Sequence, residues 1–176
     1  KLEQLLSLEK IIGIGEIGLD YHYSSENKEK QKQLFEYQLS LAEKYNLPVV
    51  IHTRDANNDT INILKKYNVK GIIHCFSGSY ETACQYINMG FLLGIGGVIT
   101  FKNCHLKDTV KKLSLKNIVL ETDSPYLSPV PYRGKVNSSK NIPIIAEFLA
   151  KELEQDITII EKSTTENVKS LFTKLK

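Results

Sequence analysis

The sequence predicts an α/β fold: parallel strands alternating with helices, laid out as five βα units of a (β/α) barrel. Two observations carry that expectation. Short apolar runs alternate with helix-period segments five times along the 176 residues. Four of those runs lead to an acid or a histidine: residues 11–15 to Glu16, 48–51 to His52, 71–73 to His74, and 118–120 to Glu121-Thr122-Asp123. Such alternation implies right-handed crossovers, which put every strand's carboxyl end on one edge. Glu16, His52, His74 and Asp123 then converge although they are far apart in sequence. All are residue types that bind metals. An open doubly wound sheet is disfavoured. The glycines of Gly13-Ile14-Gly15-Glu16-Ile17-Gly18 begin before the acid, inside the strand, and no phosphate fingerprint opens the first unit.

In order, Leu2, Leu5, Leu6 and Glu9 stand at helical spacing, so residues 1–10 read as the tail of a helix. The first strand follows and ends at Glu16, with Ile12 and Ile14 implying a buried surround for the acid. Residues 17–23 read as a loop rich in side chains that can bind. Residues 26–46 form an amphipathic helix. Leu34, Tyr37, Leu41 and Tyr45 make its stripe, which Phe35, Leu39 and Ala42 widen. Lys28, Lys30, Lys32 and Lys44 fall on its solvated face. The second strand ends at His52, and Thr53-Arg54-Asp55 is the loop after it. A helix over about 58–67 uses Ile61, Leu64 and Tyr67.

The third strand ends at His74. Ser79 caps a helix that ends at Met89, with Gly90 beyond it. Residues 91–97 make a fourth strand without a ligand, whose glycines imply close backbone approach at a site. Leu106, Val110 and Leu113 mark a short helix. The fifth strand, buried on both faces at 118–120, ends at Asp123, and Ser124-Pro125 turns the chain into a loop over 124–137. Pro143 lies near the start of a helix to about 153. Thr158 and Glu161 form a capping box for a last helix ending near Phe172. With no linker or low-complexity stretch, residues 1–176 read as a single domain.

Composition excludes several classes. With 41% hydrophobic and 24% charged residues the chain is ordinary globular protein, and no apolar run is long enough to span a membrane. A net charge of +3 allows a polyanionic partner without requiring one. Of 23 Lys and Arg, only Arg54 and Arg133 are arginine, which suggests placement where a planar fork is needed. Three cysteines without a C-x-x-C argue for a reducing compartment, cytoplasmic or nuclear. The chain opens on Lys1, so its natural start is expected to lie upstream and secretion is left open.

Five stretches resemble the TatD family of metal-dependent deoxyribonucleases, within the amidohydrolase-like barrels. They are Gly15-Glu16-Ile17-Gly18-Leu19-Asp20-Tyr21, Ile51-His52-Thr53-Arg54-Asp55-Ala56, His74-Cys75-Phe76-Ser77-Gly78, Glu121-Thr122-Asp123-Ser124-Pro125-Tyr126-Leu127, and Arg133-Gly134-Lys135. They occur in the family's order and span nearly the whole chain. The resemblance implies a (β/α)8 TIM barrel of which this chain carries about five of eight units. It also implies divalent ions (Mg, Mn or Zn), two in the complete protein, and DNA as the substrate. Hydrolysis of another ester, as in a D-aminoacyl-tRNA deacylase, or a binding-only fragment, are the alternatives. The chain departs from the family twice. The His-x-His of the family's first strand is absent, and Val136-Asn137-Ser138-Ser139 follows Arg133-Gly134-Lys135 where the family has a basic residue and Asn-Glu-Pro. Asn137 is kept; the acid is not.

The family's ligand pattern implies roles for particular residues. Glu16 bridges two ions. His52 and His74 ligate one of them, each needing a partner to fix its tautomer. Asp123 ligates the other and takes a proton from the attacking water. Each also has a structural alternative: a strand-end salt bridge for Glu16, core packing for the histidines, a turn acid for Asp123. This chain, without His-x-His, is expected to hold at most one ion tightly, at His52 and His74. Arg54 either grips a phosphate or pairs with Asp55 at the surface. Arg133, Lys135 and Asn137 are expected on the substrate. Tyr21 or Tyr23 could stack on a base, and Phe76 reads better as core. Asp20 reads as a structural loop acid, and His22 as a minor candidate. Cys75 is expected to turn to the opposite face from His74, which argues against a nucleophile.

Overall fold

The computed structural model describes residues 2–23 and 26–175, so Lys1, expected in the first helix, lies outside them. Five parallel strands pair in sequence order: β1 (Ile14–Asp20), β2 (Val49–Arg54), β3 (Gly71–Ile73), β4 (Leu92–Ile95) and β5 (Ile118–Leu120). The helices are α1 (Leu2–Leu6), α2 (Lys28–Tyr45), α3 (Asn57–Leu64), α4 (Tyr80–Asn88), α5 (Leu106–Val110), α6 (Ile142–Glu152) and α7 (Ile157–Leu171). The parallel, sequential order is the one the alternation predicts.

Register explains how the sheet aims its side chains. Ile17, Ile51, Ile73, Leu93 and Ile118 form one row across all five strands, and every member is buried. Side chains alternate along a strand. One residue further on, His52 and Gly94 therefore face away from that row, as does His74 at the end of β3. Val50, Ile72 and Leu92 lie on that second face and are only half-buried.

β1 differs from its prediction, and the difference matters. It runs on through Asp20 rather than ending at Glu16, because Ile17 and Leu19 pair with Ile51 and Thr53 and are buried. Three residues separate Ile14 from Ile17, while their partners Val49 and Ile51 are two apart. This bulge reverses the alternation. Ile14 and Ile17 are both buried, and the residues between them, Gly15 and Glu16, both turn outward.

Other elements shift by less. α2 buries Phe35, Leu39, Leu41 and Ala42, whereas Leu34 and Tyr37 are 57% and 52% exposed. The expected stripe was therefore rotated off the true one. β4 stops at Ile95, and residues Gly97–Thr100 wind into a 3-10 turn. β5 stops at Leu120, which is half-buried beside α6 and α7 rather than buried on both faces. Ser79 caps α4 by accepting from Thr82 N at 3.3 Å, and Gly90 follows with φ +86°, as expected. α7 is capped by Asp156, not Thr158: Asp156 Oδ1 accepts from Thr158 N at 2.8 Å and from its hydroxyl at 2.6 Å. The acid at the extended position satisfies one free amide of the first turn, that of Thr158, which leaves Thr158 inside the helix.

Candidate metal centre

Glu16 inside β1, His52 in β2, and the residues that follow β3 and β5 deliver the centre. Glu16 Oε1 lies 3.0 Å from His52 Nδ1 and 3.8 Å from His74 Nε2. His74 Nε2 is also 3.4 Å from Asp123 Oδ1. The other ring nitrogens are held from behind. His52 Nε2 stands 3.1 Å from Asp20 Oδ2, and His74 Nδ1 bonds Glu121 Oε2. So each imidazole has one nitrogen on a supporting acid and one turned to the shared Glu16 oxygen. Glu16 itself is 45% exposed, against the buried surround expected from Ile12 and Ile14. Ile14 is buried, but on the other side of the bulge.

The electrostatics follow from these contacts. The His52 hydrogen bond pulls the Glu16 carboxyl below its usual range, although burial opposes it. Glu16 and Asp20 raise His52 against the effect of burial. His74 is pushed up to about 9, chiefly by Glu121, with Glu16 and Asp123 adding to it. Burial raises the Asp20 carboxyl, but the His22 amide, His52 and Arg54 together outweigh it and bring it down. Negative charge thus exceeds what the imidazoles neutralise. Among the described residues, Glu16 and Asp123 form ion pairs only with histidine. Glu16 links the two imidazoles and His74 links on to Asp123, a run of nitrogen and oxygen donors that suits a divalent cation of the zinc, manganese or magnesium kind, which would displace protons from them; among the described residues the donor atoms that all lie within 4.8 Å of one another are those of His74, Cys75 and Glu121.

The two arginines lie at the end of β2 and on the loop after β5. Arg54 pairs in register with Asp20 across β1 and β2, donates to the Tyr23 hydroxyl at 3.3 Å, and lies over the Tyr23 ring at 5.2 Å. Asp55 is bonded to His22 Nδ1 at 2.9 Å instead of to Arg54. Two residues past Asp123 begins a cavity of about 420 Å³, lined by Phe101, Tyr126, Arg133, Lys135 and Val136 among others. Arg133 sits over the Phe101 ring at 4.4 Å and Lys135 over Tyr132 at 5.9 Å.

Some expected site residues do other work. Asn137 is buried; its amide donates to Tyr126 O at 2.7 Å and its oxygen accepts from Ser138 N and Asn141 Nδ2, both at 2.9 Å. It fastens the loop rather than reaching a substrate. Tyr21 gives its hydroxyl to Asp59 at 2.8 Å and carries Lys28 over its ring. Phe76 is buried edge-on to Tyr86, as core. Cys75 does not turn away: its sulfur and donor atoms of His74 and Glu121 all lie within 4.8 Å of one another. Burial, helped by the neighbouring carboxylates, pushes its thiol up to about 12, so it remains a poor nucleophile.

Sequence reasoning missed two acids. Asp20 reads as a loop acid in the sequence, but it ends β1 four residues after Glu16 and so lies on the same face by plain alternation. Glu121 was passed over as part of the strand end. Its spacing of two from Asp123 was the available signal, since residues two apart share a face.

Comparison with known proteins gives the family and the fold. The model of the family described as TatD related DNase matches residues 1–173. A Bacillus subtilis protein, YabD, named as an uncharacterized metal-dependent hydrolase, is 43% identical over 97% of this chain and 69% of its own length. A Buchnera aphidicola protein with the same description is 42% identical over 98% of this chain and 67% of its own. The crystal structure of YJJV, a TatD homolog from Escherichia coli, superposes with a TM-score of 0.92 at 30% identity, covering 98% of this chain and 68% of that one. The chain thus spans about two thirds of the length of these relatives. Among its described residues no helix is long and apolar enough to cross a membrane. The fold is that part of a TatD-type TIM barrel, and the chain belongs to the TatD-related DNase family of metal-dependent hydrolases.

Proposed function

We propose that this centre hydrolyses phosphodiester bonds of DNA, removing nucleotides from 3′ ends or acting on single strands. The observation that carries the reading is the company the cluster keeps. In a chain whose default cation is lysine, Arg54 stands in register with Asp20 at the end of β2, and Arg133 lines the cavity that begins two residues after Asp123. Guanidinium forks suit phosphate oxygens. Stacked aromatic rings beside them suit bases.

Each residue then has a task. Glu16, His52, His74 and Asp123 would hold the divalent metal, with Asp20 and Glu121 behind the imidazoles. When bound, the ions supply charge neutralisation on the phosphoryl oxygens and lower the pKa of water. Asp123, at the mouth of the site, accepts the proton of the attacking water. Arg54 orients the phosphate, and Arg133 and Lys135 hold the flanking nucleotide.

The test offers labelled single-stranded DNA, duplex DNA, RNA and D-aminoacyl-tRNA to the full-length protein with magnesium, manganese or zinc. Metal-dependent shortening of single-stranded DNA from its 3′ end is expected, with Glu16→Ala, His52→Ala and Asp123→Ala each inactive but folded. Deacylation without DNA cutting would favour the ester-hydrolase reading. Cutting that survives EDTA would overturn metal-assisted hydrolysis.

A further inference from the structure

β4 brings no ligand to the centre, yet Gly94 and Gly96 face it. Neither has a positive φ, and Gly96 sits at −105°, a conformation any residue adopts. Their lack of a side chain is therefore a matter of space. A Cβ built on Gly96 would stand 2.7 Å from Glu121 Oε1, and one on Gly94 would stand 3.1 Å from Glu121 Cγ. The Glu121 side chain fills the volume the two glycines leave.

That side chain is unusual in its surroundings. It is 17% exposed, and among the described residues its one ion pair is with His74 Nδ1. Its Oε1 is buried without a hydrogen-bond partner. The backbone fixes it too, since Glu121 N donates to Ile95 O at 3.2 Å. A carboxylate so enclosed is costly unless its one bond is worth the desolvation. With Nδ1 held, the His74 ring directs Nε2 toward Glu16 and Asp123. A carboxylate behind a ligating histidine fixes its tautomer and raises its basicity.

We infer that Glu121, seated over Gly94 and Gly96, is a positioning residue that fixes which nitrogen His74 turns to the metal centre. This rests on the proposed reading of His74 as a ligand. β4 and the residue just past it then take part by omission: Gly94 and Gly96 are the seat of the acid that aims the histidine after β3.

The experiment titrates the metal-free, full-length protein with zinc and follows the His74 ring N–H by nitrogen-15 NMR in the zinc-loaded state. Glu121→Gln, which keeps the shape, should weaken zinc binding about 10-fold and shift the ring N–H signal; Glu121→Ala should weaken it about 100-fold and lose that signal. Gly96→Ala should weaken binding in the parent protein and add nothing in the Glu121→Ala background, because the added methyl then has room. Circular dichroism checks that Glu121→Gln is folded. His74→Ala separates the two failures. If it abolishes zinc binding while Glu121→Gln and Glu121→Ala bind as the parent and keep the ring N–H, positioning by Glu121 is wrong and the site stands. If His74→Ala binds zinc like the parent, the site reading falls and the inference with it.

Discussion

Arg54 leans over Tyr23 at the end of β2, while Asp55 is engaged by His22. The surface pair that would have made Arg54 a structural residue is thus not formed. Arg54 stands in register with Asp20, and its guanidinium lies over the Tyr23 ring and makes no ion pair with Asp55. Arg54→Lys should lower kcat/KM on single-stranded DNA about 10-fold, the worth of one charge-assisted hydrogen bond, and leave zinc affinity unchanged. Parent-like kinetics would return Arg54 to the surface. Cys75 gives the complementary case. It adjoins His74, but burial holds it as a thiol. Cys75→Ser should keep its hydrolysis, and a dead variant would mean that the sulfur takes part after all. Both readings depend on neighbours far away in sequence, so neither residue's task was decided by its type.

At the scale of elements, α2 shows what periodicity gives and withholds. The amphipathic pattern fixed its existence and its span to within two residues of Lys28–Tyr45. It did not fix the rotation of the buried stripe, because Leu34 and Phe35 are both apolar and lie about 100° apart on a helix. Only packing against β1 selects Phe35. Phe35→Ala should cost about 3–5 kcal/mol of stability and Leu34→Ser within about 0.5, read by urea unfolding. The reverse ranking would restore the original stripe. α7 is tied to β5 by a different device. Asn167 donates to Leu115 O at 2.8 Å and Ile118 O at 2.7 Å. Asn167→Ala leaves both carbonyls short of a partner and should cost about 1–3 kcal/mol. A variant as stable as its parent would show that packing alone docks the helix.

At the scale of the molecule, the centre draws on β1 and β2 and on the residues that follow β3 and β5. An ion held there binds the folded chain and not the unfolded one, so it cross-links the sheet thermodynamically. Zinc at about 100 times its dissociation constant should stabilise the folded state by about 2.7 kcal/mol. The thermal midpoint of the full-length protein should therefore rise with zinc and fall back with EDTA, and Glu16→Ala should remove most of the rise. A midpoint indifferent to zinc in the parent protein would mean that the strand ends do not form one site.

The sequence by itself determined the parallel order of the strands and the meeting of Glu16, His52, His74 and Asp123. Both follow from alternation and handedness, which are local rules that repeat along the chain. The resemblance of five short stretches supplied the family. Tertiary structure alone decided the rest. The extra residue between Ile14 and Ile17 turns Glu16 to the face of the histidines, and a bulge of that kind is defined only against the partner strand. Asp20 and Glu121 became supports because His52 and His74 stand in front of them. Asn137 was spent on its own loop. Gly94 and Gly96 are explained by an acid 25 or more residues away, which enters their space only when the strands are side by side. Periodicity states which way a side chain alternates; what it meets there is a property of the neighbouring strand.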